Sequence, residues 1–176
     1  MGKNCLNKLS GNINVGCTIP QVGVKNIYLM HTEDVTFTTD SAMSTVTTAT
    51  IAPGAAVILV EGYKQNIQIT SSVRAMDASA KLDINVTFKM PLDSVGAEAR
   101  VRSLLTGKFY VGVERNDGAN SLVGYTSPLE CSVVDWDSNA NAGLATVTLS
   151  APEGSAGNYF MRAAVTAMDS IKSNRK

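Results

Sequence analysis

The chain offers few side chains whose type and spacing could support catalysis or metal binding. Its 176 residues contain one histidine, His31, which lies close in sequence to Glu33 and Asp34. A single imidazole cannot form the paired-histidine zinc sites of metalloproteases. The three residues could act together as a small ligand group, but an ordinary solvent-exposed histidine at the end of a strand is the simpler interpretation.

A second candidate, Asp135-x-Asp137-x-Asn139, begins like a calcium-binding loop. Such a loop needs glycine at its sixth position for a sharp turn and a bidentate glutamate at its twelfth. Ala140 and Thr146 occupy these two positions here. Since both departures fall where the geometry is demanding, the sequence predicts a solvated connection between two strands.

A third candidate, Thr106-Gly107-Lys108, resembles the end of a phosphate-binding loop. Arg102 stands where that motif has its first glycine, and Phe109 stands where it has a hydroxyl residue. The predicted helix also precedes the motif, whereas phosphate binds at the N-terminus of a helix that follows. The sequence therefore predicts no catalytic residue, no cofactor-binding residue and no metal ligand, and we expect a protein that is not an enzyme.

The three cysteines, Cys5, Cys17 and Cys131, are odd in number and irregularly spaced, so they do not form a disulfide framework. Trp136 fits a core or interface anchor better than a ligand platform. The first 20 residues contain no continuous apolar run, and the longest run, Ala55–Val60, is too short to cross a bilayer. We therefore expect a chain without a membrane anchor that is made and kept in a reducing cytoplasm.

The composition suits one domain with a substantial core, because 44% of the residues are hydrophobic. Charged residues make up 17%, below the roughly 25% of an average soluble protein. Either neighbouring subunits cover much of the surface, or the surface is rich in Thr, Ser, Ala and Gly. The 15 basic and 15 acidic residues balance, which gives no footprint for binding a phosphate backbone.

Alternation of apolar and polar residues predicts a mainly β protein. Lys81–Met90 places Leu82, Ile84, Val86 and Phe88 on one face. Val24–His31 is apolar on much of both faces, Ser44–Ile51 is a Thr-rich exposed or edge strand, and Tyr159–Ala167 is either a last strand or a short helix. The remaining predicted strands are Ala55–Tyr63, Gln65–Val73, Lys108–Val113, Ser121–Tyr125, Glu130–Trp136 and Ala145–Leu149.

One helix is predicted at about residues 94–106, within this β pattern. Val101, Leu104 and Leu105 have the spacing of a helical apolar stripe, and Gly107 ends the helix. The strands that follow surround Asn116-Asp117-Gly118, which is a hairpin signal. The predicted fold is therefore a β-barrel or sandwich with one flanking helix and extended arms.

The predicted organisation is an N-terminal arm at residues 1–23, a single β-rich domain at 24–167 and a C-terminal tail at 168–176. The arm is polar and glycine-rich and shows no lasting period. The two ends and the segment 32–52 are long for segments that only connect secondary-structure elements, because most such connections have about 4–6 residues. We expect these three segments to carry most inter-subunit contacts, so that a chain lacking residues 1–16 folds but assembles poorly.

The order of pieces resembles a group of phage tail-tube-like or tail ring structural proteins that are common in phages of gut Bacteroidetes. The matching pieces are Arg102–Leu105, Asn116–Gly118, Leu122–Gly124 and Thr148–Glu153. More loosely, Cys17, Pro20 and Gly23 before IYLMHTEDV resemble that group's lead into its first strand. The longer turn at Asn116-Asp117-Gly118 leaves a specialised ring component and the repeated tube subunit equally open.

The resemblance implies a virion protein whose subunits close into rings, and rings that stack into a tail tube or collar through which DNA passes during genome ejection. The expected partners are further copies of the chain, other tail or collar proteins, and DNA that is not bound sequence-specifically. The protein would be made in the cytoplasm of a bacterial host. The alternative is a monomeric β-sandwich binding module, for example for carbohydrate, although aromatic residues are only 6%.

Overall fold

The computed structural model describes residues 23–62, 66–76, 79–92, 96–137, 144–152, 155, 158 and 160–175. The fold is mainly β, which confirms the predicted class. The strands are β1 (Val24–His31), β2 (Val35–Thr39), β3 (Thr45–Ile51), β4 (Ile58–Glu61), β5 (Ile67–Met76), β6 (Ser79–Pro91), β7 (Lys108–Arg115), β8 (Asn120–Val123), β9 (Leu129–Asp135), β10 (Leu144–Ser150) and β11 (Met161–Ala163). The helices are α1 (Ala97–Thr106) and α2 (Val165–Ser173).

β7 is the branch point of one large sheet. Along one edge it pairs with β1, and along the other it pairs with β9 at its start and with β8 further on. One branch continues from β8 through β11 and β3 to β2, and the other continues from β9 through β10 and β6 to β5. β1 also pairs with β4. The pairing of β11 with β3 is parallel, and the other ladders are antiparallel.

β1 supplies side chains to two hydrophobic cores, one on each face of the sheet. Ile27 and Leu29 belong to the first core, and Tyr28 and Met30 belong to the second. Successive residues of a strand point to opposite faces. The structure therefore confirms Val24–His31 as a strand that is apolar on both sides.

The two cores lie on opposite faces of the sheet, and β8 contributes to both, through Val123 and Leu122. The first core contains Ile27, Leu29, Ile67, Ile84, Val86, Phe88, Leu104, Phe109, Val111, Val113, Val123, Leu129, Val147 and Leu149. The second core contains Tyr28, Met30, Val35, Val46, Ala49, Val57, Leu122, Met161, Ala167, Met168 and Ile171. Three members of the predicted Leu82–Phe88 stripe lie in the first core, and Leu82 packs at its margin.

The flanking helix α1 is confirmed, but its predicted buried stripe is partly wrong. Leu104 is buried and Val101 is half-buried, whereas Leu105 is 56% exposed. Ala97, Val101 and Leu104 follow the i, i+4, i+7 spacing of one helix face, and this face packs on β9. Leu105 lies about 100° further around the helix, beyond that contact.

The predicted C-terminal tail at residues 168–176 is wrong over most of its length. Residues 161–163 form β11, and Val165–Ser173 form the helix α2. α2 buries Ala167, Met168 and Ile171 completely or nearly so. Polar and charged neighbours hide this short helical stripe in the sequence, which explains why the segment looked like a tail.

The segment 32–52 is a hairpin of β2 and β3, which confirms the predicted strand at Ser44–Ile51 and corrects the expectation of a long irregular segment. At its turn the Asp40 carboxylate accepts hydrogen bonds from the backbone N–H groups of Ser44 and Thr45. β3 lies between β2 and β11, so the predicted edge character belongs to β2 instead. The hairpins β7–β8 and β9–β10 are confirmed, with bounds shifted by one or two residues at most ends.

Candidate functional site

His31 has a packing role at the end of β1. Its ring lies 4.7 Å from the ring of Phe109, centroid to centroid, and the two planes are tilted by 46°. Its backbone oxygen accepts a hydrogen bond from the N–H of Asp34 in the turn that follows. Within the described ranges, no group of three or more His, Cys, Asp or Glu side chains could hold a metal ion, so His31, Glu33 and Asp34 do not form such a group.

The other sequence candidates are spread over the surface near β9. Asp135 ends β9 and Asp137 follows it, and both are exposed. The rest of the loop, including Asn139 and Ala140, lies outside the described residues. Trp136 is 54% exposed, so it is not a core anchor, and its assignment as an interface anchor stays a prediction.

Cys131 is a half-buried thiol on β9 that packs against the first core. Its Sγ lies 3.6 Å from the carbonyl oxygen of Val133. Burial raises the pKa of this thiol, which disfavours the reactive thiolate. Cys5 and Cys17 lie outside the described residues.

The most developed polar arrangement is centred on Glu114 of β7, and we call it the Glu114 cluster. The Glu114 carboxylate accepts hydrogen bonds from the Lys172 Nζ of α2 (2.9 Å), from the Asn26 Nδ2 (3.0 Å) and Tyr28 hydroxyl (3.0 Å) of β1, and from the Lys25 Nζ (3.3 Å). Only 12% of the Glu114 side chain is exposed. Four donors from two other elements therefore converge on one buried carboxylate.

The surroundings of Glu114 favour its charged form. Burial alone would raise the pKa of this carboxyl, but the hydrogen bonds from Lys172, Asn26 and Tyr28 outweigh burial and lower the pKa to about 2. Burial raises the pKa of Tyr28, and the neighbouring carboxylate adds to this effect. Tyr28 is therefore a hydrogen-bond donor at neutral pH.

The Glu114 cluster is suited to a structural role rather than to catalysis. The acid is ionised and fully engaged, so it has no free lone pair with which to act as a general base near neutral pH. The cluster ties α2 to β1 and β7 above the second core. Sequence reasoning missed it, although strand alternation places Glu114 on the same face as Tyr110 and Gly112, opposite the apolar Val111 and Val113.

A groove of about 800 Å³ lies between β5 and the hairpin of β7 and β8, and we call it the β5 groove. Its apolar lining includes Val24, Ile67, Ile69 and Val113, and Phe160 adds an aromatic ring that is 45% exposed. Gly23, where the described chain begins, also lines it. Ile67 and Val113 belong to the first core, so the groove opens at the margin of that core.

A second groove of about 690 Å³, the α1 groove, lies between α1, β4 and the end of β6. Its lining is mainly aliphatic and includes Ile58, Val60, Met90 and Leu104. It reaches the first core at Phe109. Its size suits a small ligand.

Three strands lie at ends of the sheet. Among the described residues, β2 is hydrogen-bonded only to β3, β5 only to β6, and β4 only to β1. The β2 sequence VTFTT and the first seven residues of β5, IQITSSV, contain no charged residue and no proline. Native proteins usually protect such edges with charges, proline or a covering element. Among the described residues, the edges of β2 and of the first seven residues of β5 lack such protection, and we take them as the candidate functional surfaces.

Exposed apolar side chains accompany these surfaces. Val73 of β5 is 68% exposed and continues the line of Ile67 and Ile69 along one face of the strand. Scattered single exposed apolar residues are normal, but a row that begins in a groove and follows an open edge is suited to contact with another chain. Within the part of the chain that the structure describes, the exposed large hydrophobic residues are Met43, Ile58, Val73, Leu105, Val133, Trp136, Phe160 and Val165.

Comparison of the chain with protein families, with curated proteins and with solved structures gives no match. The resemblance to phage tail proteins therefore has no support from these comparisons and stays a prediction. No helix in the described ranges is long and apolar enough to span a bilayer.

Proposed function

We propose that this protein is a structural subunit that assembles with copies of itself through the edges of its sheet. The carrying observation is that β2 and the first seven residues of β5, at opposite ends of the sheet, carry no charge and have outer edges that no described strand covers. An unpaired row of backbone N–H and C=O groups is a template for another strand. Two different edges on one subunit favour a head-to-tail contact, which closes into a ring when the rotation between subunits allows.

The particular assembly that we propose is a ring of a phage tail tube or collar, in the virion, around a conduit for DNA. Its support is the resemblance in the order of sequence elements, together with a mainly β fold that has a short helix in the expected place. The low charged fraction of 17% is in keeping with a surface that neighbours cover. In this proposal the protein is not an enzyme, and its partners are further copies of itself and other tail proteins.

A charge on an edge strand tests the edge contact directly. Thr36 of β2 and Thr50 of β3 are cross-strand partners, and both are exposed. Thr36→Lys places a charge on the edge, whereas Thr50→Lys places the same charge one strand further in. We expect Thr36→Lys to lower the assembled fraction in light scattering and Thr50→Lys to leave it near the wild-type value, with both variants folded by circular dichroism.

Equal assembly by the two lysine variants and the wild-type chain would show that the β2 edge is not a contact. The alternative function is a monomeric β-sandwich binding module, for example for carbohydrate. The α1 groove is the observation that favours binding of a small molecule, although its aliphatic lining suits an apolar ligand better than a sugar. A strictly monomeric mass in solution would support this alternative.

A further inference from the structure

The chain has one tryptophan, Trp136, which lies between two acidic residues at the end of β9. The Trp136 side chain is 54% exposed, and Asp135 and Asp137 are exposed as well. Tryptophan is enriched among the residues that carry most of the binding energy of protein interfaces, where it fills a pocket on the partner. We call these three residues the Trp136 segment. Its complement is a partly apolar pocket with positive charge.

The β5 groove is such a pocket. Arg115 lies two residues after Val113 on β7, so strand alternation places both on the same face of the sheet. Arg162 pairs across the sheet with Ser121, which in turn pairs with Val113. The two arginines and the exposed ring of Phe160 therefore line the groove where the first-core face of the sheet continues beyond Val113.

The charge of the β5 groove is positive. Among the described residues that line it, Arg115 and Arg162 are charged and none is acidic. The Arg115 guanidinium forms a surface salt bridge with Asp117 (2.9 Å), whereas no carboxylate of the described residues pairs with Arg162. Apolar walls, an aromatic ring and a guanidinium together match an indole ring that is flanked by carboxylates.

The sheet keeps the Trp136 segment away from the β5 groove of its own chain. Asp135 pairs with Thr146 of β10, and Thr146 pairs with Lys89 of β6. The N–H of Lys89 donates a hydrogen bond to the carbonyl oxygen of Asn66, just before β5. Three strand spacings, roughly 14 Å, therefore separate Asp135 from the β5 end of this row.

The strands β10 and β6 that lie between do not reach the groove. Besides β5, its described lining comes from β1, β7, β8, β11 and residues next to them, and none of it comes from β6, β9 or β10. Beneath these strands the first core fills the space with side chains such as Val86 and Val147. A Trp136 segment that enters the groove therefore belongs to another copy of the chain.

We propose that the Trp136 segment of one copy binds in the β5 groove of the next copy, with the indole ring against Phe160 and Ile69 and a flanking carboxylate on Arg162. The two surfaces lie on different parts of the subunit, so the contact is head-to-tail and can close into a ring or continue as a stack. This inference rests on the proposed self-assembly and names the pair of surfaces that make one of its contacts.

The fluorescence of Trp136 reports this contact directly, because the chain has no second tryptophan. The ring is half exposed in the single chain, so its emission should move to shorter wavelength when the groove buries it. Emission spectra and light scattering of the full-length chain are measured over the same range of concentrations. We expect the two signals to change together as the chain assembles.

Charge reversal identifies the surface that buries the ring. Arg162→Glu places like charges across the contact and should raise the concentration of half-assembly by roughly tenfold. Combining it with Asp135→Lys or with Asp137→Lys restores opposite charges, and one of these two pairs should return assembly and the emission shift to near the wild-type concentration. Asp169→Lys is the matched control on the exposed side of α2, and it should assemble like wild type. Circular dichroism checks that each variant is folded.

Four results would overturn the inference. Assembly with an unchanged emission maximum shows that Trp136 stays exposed, which contradicts the contact and leaves self-assembly standing. Short-wavelength emission from a chain that light scattering shows to be monomeric means that the chain covers its own Trp136. A shift that Arg162→Glu does not weaken, or that neither double variant restores, places the ring on a different surface. A chain that is monomeric at every concentration and salt contradicts the proposed function and this contact with it.

Discussion

Two regions of the sheet differ in how their apolar surface is covered. On the side of the second core, α2 covers the apolar residues, and the Glu114 carboxylate is held by four donors. At the far end of the branch that runs through β9, β10 and β6, the first seven residues of β5 carry no charge, no described strand pairs with their outer edge, and Val73 is exposed. One region is closed by the chain itself, and the other has the features of a surface that another chain completes.

This contrast separates residues that stabilise the subunit from residues that serve its contacts. Substitutions on the closed side should change the free energy of unfolding. Substitutions on the open side should leave that free energy nearly unchanged and alter the state of assembly. The following predictions test this separation, from the largest expected effect on stability to the smallest.

Ile171→Asp should have the largest effect, because the Ile171 side chain is 1% exposed beneath α2. A carboxylate placed there has no cationic partner within the second core and loses its hydration, and effects above about 4 kcal/mol arise from such buried unpaired charges. We expect loss of cooperative unfolding in urea, or a chain that does not fold at 25 °C. A variant with wild-type stability would show that α2 does not close the core.

Leu104→Ala should cost about 2–5 kcal/mol, the range for truncating a buried leucine. Leu104 is 6% exposed and belongs to the first core. Leu105→Ala is the matched control on the same helix, and at 56% exposure it should change stability by less than roughly 0.5 kcal/mol. Urea unfolding of both variants checks the assignment, and equal costs would contradict the orientation of α1.

Glu114 should make the free energy of unfolding depend on pH. Its folded pKa of about 2 lies below the ordinary value of 4.5, so its contribution is fully present above about pH 4.5 and is lost as the pH falls toward 2. The difference between the two values corresponds to roughly 3 kcal/mol. We expect the stability of Glu114→Gln, measured relative to wild type by urea unfolding, to approach the wild-type value as the pH is lowered through this window.

The wild-type comparison is needed because Asp40 also titrates below its usual range. Backbone N–H groups of Thr45 and Ser44 and the Ser44 hydroxyl lower the pKa of the Asp40 carboxyl. That contribution is common to both chains and cancels in the difference. A stability difference that stays constant from pH 6 to pH 2 would show that the Glu114 cluster does not stabilise the fold through its charge.

Val73→Asp should have the smallest effect on stability, below roughly 0.5 kcal/mol, because the side chain is 68% exposed. It should nevertheless reduce assembly, because it places a charge in the apolar row beside the open edge. The pair Ile171→Asp and Val73→Asp introduces the same carboxylate on the closed and open sides. Unchanged assembly with Val73→Asp would remove the β5 edge from the account.

Sequence periodicity predicted much of the sheet because the relevant signals are local. The alternation at Leu82–Phe88 and the two-sided apolar character of Val24–His31 follow directly from strand geometry. Pairing between distant strands has no such signal. The branch of the sheet at β7 and the parallel contact of β11 with β3 therefore appear only in the folded chain.

The helix α2 and the Glu114 cluster were not predicted, for related reasons. α2 has few apolar residues, and their role in stabilising the fold comes from their packing in the second core, which the sequence does not show. Lys25 and Lys172 are far apart in sequence, and only the fold brings them to one carboxylate. The edges of β2 and β5 could be seen as uncharged in the sequence, but their open positions depend on the strand order.

The central claim is self-assembly, and light scattering across concentration and salt, combined with electron microscopy of the purified chain or of its native particle, tests it most directly. The account predicts a closed ring or a stack of rings at high concentration or in the particle. A chain that is strictly monomeric at every concentration and salt, together with the absence of any ring in a native particle, would contradict it.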